Sequence, residues 1–176
     1  MQEKKPLRNS NIIYKDLKSA KELVYDQCGY ELKNLKIHLE GSGYSACSYE
    51  LEGKIIEYRR SKITPLKTGQ FVTIWRRNNK GITQPFDSSD KMDFIIISSV
   101  KDDDLGLFIF PKSVLLSRGI ISQKGEGGKR GIRVYPPWDM VSTKQAENTQ
   151  SWQEKYFVWI KDNEQNYLNL IKTLLK

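Results

Sequence analysis

Hydrophobic positions recur at several different spacings along this chain, and each spacing predicts a different element. Ile13, Leu17, Ala20 and Val24 repeat at helical intervals, which predicts a first helix over about residues 11–27, closed by Gly29. Leu35, Ile37 and Leu39 alternate with Lys36, His38 and Glu40, a pattern that fits a short strand or an amphipathic turn. After the break at Gly41-Ser42-Gly43, three β-prone runs follow at 44–51, 55–64 and 70–77. Turn signals at Glu52-Gly53 and between Pro65 and Gly69 join them, so they read as an antiparallel meander. Residues 92–100 and 105–110 are almost continuously apolar and are connected by Lys101-Asp102-Asp103-Asp104. Runs of that kind fit central strands buried on both faces, which requires helices on each side of the sheet.

The C-terminal third is more mixed. Pro111 suits the first position of a short helix containing Val114, Leu115 and Leu116, with Gly119 at its end. Residues 132–135 read as a short strand before Pro136-Pro137-Trp138. Ser142 with Gln145 and Asp162 with Gln165 are capping-box patterns. Residues 152–160 fit helix or strand, and Tyr167, Leu168, Ile171, Leu174 and Leu175 mark a terminal amphipathic helix. The expectation is one α+β domain over 1–176, with a mixed, largely antiparallel central sheet of about five or six strands and helices on both faces.

Composition changes this picture in one respect. Lys and Arg number 29 against 21 acids in 176 residues, a net charge of +8 and a pI near 9.4. Such a balance suggests a polyanionic partner: nucleic acid, an anionic surface or an acidic protein. Cys28 and Cys47 form no CxxC pair, so they read as inert thiols rather than a disulfide framework or zinc site. No apolar leader follows the N-terminus and no run is long enough to span a bilayer, so the expectation is a cytoplasmic protein with no membrane partner.

The basic residues cluster with rings. On the second strand of the predicted hairpin, Phe71, Thr73, Trp75 and Arg77 share one face and Val72 and Ile74 the other. On the first, Tyr58, Arg60, Lys62 and Thr64 share a face. Matched faces would place aromatics and fixed positive charges on one surface, where phosphates meet cations and bases meet rings. The competing reading buries Phe71 and Trp75 under a helix. Further along, Gln123 to Gly131 is a glycine-rich basic loop, and Arg133, Tyr135 and Trp138 repeat the pairing of cation and ring. The expected nucleic-acid-binding set is Arg59, Arg60, Lys62, Lys67, Trp75, Arg76, Arg77, Lys129, Arg130, Arg133, Tyr135 and Trp138. The polymer is DNA or RNA, bound with low sequence specificity.

Catalytic motifs are sparser. The glycine-rich loop has neither Walker nor GxGxxG spacing, so it cradles no nucleotide cofactor, and no other motif calls for one. His38, the one histidine, lies in a polar alternation and reads as exposed. A metal-dependent nuclease of the PD-(D/E)xK kind is the enzymatic alternative. Glu52-Gly53-Lys54 and Glu31-Leu32-Lys33 match its short part, and Asp87, Asp90 and Asp93 are the better metal candidates. These acids also suit turns and strand starts. A protein-interaction partner with an acidic surface is the third reading.

Residues 60–77, Gly128-Lys129-Arg130-Gly131-Ile132-Arg133-Val134-Tyr135-Pro136 and Gln150-Ser151-Trp152-Gln153-Glu154-Lys155-Tyr156-Phe157 together resemble the MepB-like proteins, which are associated with a bacterial multidrug efflux gene cluster. The resemblance spans nearly the whole chain. It implies a small cytoplasmic bacterial protein with a nuclease-like, restriction-endonuclease-like core, and nucleic-acid binding rather than efflux itself. It carries over no catalytic residue.

Overall fold

β-Branched and aromatic residues dominate the middle of the chain, and strands form there. The computed structural model describes residues 13–161 and 166–176. In chain order the elements are α1 (Lys15–Ala20), continued by a π-helical segment Lys21–Tyr25, β1 (Leu32–Ile37), a 3-10 segment Leu39–Tyr44, β2 (Cys47–Leu51) and β3 (Lys54–Arg60). There follow β4 (Lys62–Ile63), β5 (Gln70–Thr73), β6 (Trp75–Arg77), β7 (Thr83–Pro85), β8 (Phe94–Lys101) and β9 (Asp104–Pro111). The chain ends with α2 (Lys112–Ser117), β10 (Gly131–Val134), α3 (Lys144–Gln153), β11 (Phe157–Ile160) and α4 (Asn166–Leu174).

The main sheet has six strands in the order β1-β2-β3-β8-β9-β11. β3 and β8 run parallel, and the other neighbours are antiparallel. This is the mixed α+β architecture that the apolar runs imply. β8 alternates perfectly between two cores. Phe94 and Ile96 face Leu17, Val24 and Ile171 of the α1, π-helical and α4 layer. Ile95 and Ile97 face Leu115 of α2 and the inner residues Val72, Ile132 and Val134 of β5 and β10. Helices therefore cover both faces. Asp16 ties α1 to the sheet, accepting from Ser45 Oγ at 2.8 Å, Tyr58 Oη at 2.7 Å and Ser98 Oγ at 3.2 Å. Among the described residues no helix is long and apolar enough to cross a membrane.

The predicted three-strand meander is not what forms. β2 and β3 make the expected hairpin, with Glu52 and Gly53 both at positive φ in its turn. At Ser61 the chain then leaves the main sheet. The Ser61 amide donates to Ser98 O at 2.9 Å. Its hydroxyl donates to Gln70 Oε1 at 2.7 Å and lies 2.6 Å from Ser99 Oγ. This buried polar anchor diverts β4 to β5 in a second sheet of order β10-β5-β4. The 70–77 run likewise breaks at Ile74, and β6 pairs with β7 in a two-stranded sheet. Tyr58 is consequently buried in the main core, not on a face shared with Lys62.

Smaller differences have local causes. The 11–27 helix is a short α-helix continued as a π-helical segment, and its first two positions lie outside the described residues. The 35–40 alternation divides, its first residues ending strand β1 and Leu39 opening the 3-10 segment. Pro111 ends β9 and precedes α2 instead of opening it. Thr143, not Ser142, caps α3, its Oγ1 accepting from Ala146 N at 3.2 Å. The 152–160 segment divides among the end of α3, a 3-10 turn Glu154–Tyr156 and β11. The Asp162–Gln165 box lies outside the described residues. Cys28 and Cys47 are free thiols, both pushed up in pKa chiefly by burial.

Candidate nucleic-acid interface

The small sheet aligns a row of side chains across three strands. Lys62 of β4, Phe71 of β5 and Arg133 of β10 are direct cross-strand partners and share the outer face. The opposite face carries Gln70, Val72, Ile132 and Val134, all buried. Beside the outer face lies an open groove of about 460 Å³. Its cations are Lys67, Arg118, Lys129 and Arg133, and its rings are Phe71, Tyr135 and Trp152. No carboxylate lines it, and among the described residues none of the four cations has an ion-pair partner.

Local contacts hold these groups in place. Arg133 donates to Thr68 O at 3.2 Å and Thr64 Oγ1 at 2.9 Å, which fixes its guanidinium against the β4–β5 loop without neutralising it. The Arg118 guanidinium sits 5.0 Å from the Trp152 ring centroid. Gln153, buried at the end of α3, accepts from Tyr135 N at 2.8 Å and donates to Arg133 O at 3.1 Å. It thereby clips the helix to the edge of β10. Tyr135 lies over Gly69 and Phe71 over Gly131, where a Cβ atom would come within 2.7 Å and 2.6 Å of the respective ring.

A second cavity, of about 470 Å³, opens between β3, the 3-10 segment, β6 and the loop before β8. Each of its three arginines has an acid partner, and a fourth cation, the exposed Lys91, stands on its lining. Arg59 pairs with Glu57 at 3.3 Å, Arg76 with Asp90 at 2.6 Å, and Arg77 with Glu40. Trp75 is half-buried on its wall, with the Arg77 guanidinium 5.5 Å from the ring centroid. His38, exposed as expected, lies at this cavity, 3.6 Å from the Glu57 carboxylate.

The twelve expected binding residues therefore separate. Lys67, Lys129, Arg133 and Tyr135 meet in the groove. Arg59, Trp75, Arg76 and Arg77 line the second cavity, and Arg59 is only 4 % exposed, so it is a packed, paired group and not a phosphate contact. Lys62 stands 4.4 Å from the Tyr44 ring centroid beside the groove, and Arg60 is exposed outside both cavities. Arg130 turns away to donate twice to Thr83 O at 3.2 Å. Trp138 is not a stacking platform: its ring packs edge-on against Phe157 and Trp159 in the core. Arg118 and Trp152 also line the groove, although neither stands in a sequence cluster of cations and rings.

The acids proposed for metal binding do not converge. Asp87 accepts from Ser122 Oγ at 2.7 Å, Gly125 N at 3.0 Å and Ser89 N at 2.9 Å. The Gly125 amide, followed by the other donors, holds its carboxyl well below the usual carboxylate range. Asp90 pairs with Arg76, and Asp93 accepts from Ile55 N at 2.8 Å. Among the described residues no group of three or more His, Cys, Asp or Glu is arranged to hold a metal ion.

The MepB-like family profile matches residues 38–159. The crystal structure of MepB is similar over 87 % of this chain and 100 % of its own, with 29 % identity and a TM-score of 0.73. The bacterial homing endonuclease I-Ssp6803I aligns over 78 % of this chain and 84 % of its own at 12 % identity, but with a TM-score of 0.42 that match carries no weight. No functionally curated protein matches the chain.

Proposed function

This chain belongs to the MepB-like family, and we propose that it binds nucleic acid with little sequence specificity. The reading is carried by one observation: the groove gathers Lys67, Arg118, Lys129 and Arg133, unpaired among the described residues, around Phe71, Tyr135 and Trp152, with no acid on its wall. Cations without carboxylate partners attract phosphates and release their counterions. Partly exposed rings between them suit bases or sugars, which an acidic protein surface does not supply. No array of base-reading side chains is presented, so affinity comes mostly from the backbone of the polymer.

Fluorescence anisotropy with labelled single-stranded and duplex oligonucleotides tests the reading. Wild-type protein is expected to bind at low salt, and the Lys67→Glu/Arg133→Glu double variant to lose about thirtyfold to a thousandfold, given two reversed charges at about 1–2 kcal/mol each. Polyglutamate is expected to compete poorly. Unchanged affinity in the double variant, or equal competition by polyglutamate, would overturn it in favour of a different surface or an acidic protein partner.

A further inference from the structure

The second cavity has a different chemistry from the groove and lies next to it. Phe71 lines the groove and Thr73 the cavity, two residues apart on β5, or about 7 Å along the strand. The cavity volume of about 470 Å³ falls within the range of small-molecule sites, roughly 300–1,000 Å³. Its apolar wall is built from Ile55, Phe86 and Met92, with the half-buried Trp75 ring beside them.

The polar lining narrows the ligand further. Each cavity arginine is matched by an acid: Arg59 by Glu57, Arg76 by Asp90 and Arg77 by Glu40. A bare anion meets three carboxylates there and a bare cation meets three guanidinium groups. The three pairs sum to neutral, and the one charge left over, Lys91, is an exposed side chain whose attraction water screens, so neither ion gains much Coulomb energy from the set. A planar, uncharged heterocycle with donors and acceptors on one edge fits both halves of each pair. Glu57 Oε2 faces Arg59 and His38, while its Oε1 makes no hydrogen bond among the described residues. Glu57 is 16 % exposed, so an N–H group that reaches Oε1 replaces little bulk water. The half-buried Trp75 ring supplies the stacking surface such a ligand needs, against an apolar wall that includes the buried Phe86.

We propose that this cavity holds a nucleobase, with Glu57 accepting from an amino or imino N–H on its edge. The base belongs either to a free nucleoside or to a strand lying in the groove, one nucleotide of which is unstacked into the cavity. The second source alone rests on the groove reading, and unstacking costs a few kcal/mol, least in a single strand.

Adenosine, guanosine, cytidine and uridine carry no phosphate and so do not engage the groove's cations. They are titrated against the full chain by saturation-transfer NMR, alongside Glu57→Gln and Thr73→Phe, each checked for an unchanged melting temperature. At least one nucleoside is expected to saturate. Glu57→Gln is expected to weaken it about tenfold, the effect of losing one charged acceptor. Thr73→Phe, which fills the cavity from a half-exposed strand position, is expected to remove binding. Absence of saturation with all four nucleosides, or saturation that both variants leave unchanged, would overturn the inference. The source is read from an oligonucleotide titration: weakening by Thr73→Phe assigns the base to the strand, and no change assigns it to the free nucleoside. Salt-dependent oligonucleotide binding without nucleoside binding would sink this inference alone, whereas its loss with nucleoside binding intact would sink only the groove reading.

Discussion

Gly69 has φ near +80°, and the Tyr135 ring lies where its Cβ would stand, 2.7 Å away. Alanine there meets both a backbone conformation that L-residues avoid and a ring it must displace. We expect Gly69→Ala to cost at least about 1 kcal/mol by urea unfolding and to weaken oligonucleotide binding by moving Tyr135. Unchanged stability would contradict the placement of the ring. Arg118 supplies a cleaner test of charge, because the described residues give it a Trp152 contact and no carboxylate. Arg118→Ala is expected to weaken binding to all sequences alike and to reduce the salt slope by about one. A sequence-selective loss would argue against backbone binding. Lys67, Lys129, Arg133 and Tyr135 were legible in the sequence because cations and rings cluster there. Arg118 and Trp152 were not, since they arrive from separate helices that only the tertiary fold brings together. Arg76 and Arg77 misled for the complementary reason: their neutralising partners, Asp90 and Glu40, are remote in sequence.

Short elements depend on polar anchors, and these are the least legible features. Nothing in the run 55–64 announces that Ser61 will hydrogen-bond across to Ser98, Ser99 and Gln70 and divide one strand into two. By contrast, the nearly continuous apolar runs of β8 and β9 point to their central place, since strands of that kind need cover on both faces. Asp87 is the anchor of the glycine-rich loop, joining it to the turn before β8 through Ser122 and Gly125. Its folded pKa is depressed by those donors. The stability it contributes is therefore present above its unfolded pKa, about 3.9, and is lost as pH falls below that toward the lower folded value. Asp87→Asn keeps the shape but not the charge. We expect it to melt below wild type at neutral pH, with the difference closing as pH drops below about 4. A gap that stays constant with pH would contradict the role of the carboxylate.

At the scale of the whole molecule, a net charge of +8 is distributed unevenly. The second cavity pairs its three arginines with acids, while the groove leaves four cations without acids. The mixed sheet produces this division: one face is closed by α1 and α4, and the other carries the small sheet whose outer surface forms the groove floor. Net charge alone does not say which cations lie together; the fold brings Lys67, Arg118, Lys129 and Arg133 to one groove. Four such groups have a quantitative consequence. The most direct test is the affinity for a labelled duplex measured across a range of salt concentrations, with wild type beside a Lys67→Ala/Arg118→Ala/Lys129→Ala/Arg133→Ala variant. We expect log affinity to fall with log salt at a slope of about −3 to −4 for wild type, and nearly flat, weak binding for the variant. A wild-type slope near zero, or a variant that keeps the full slope, would contradict binding through this groove.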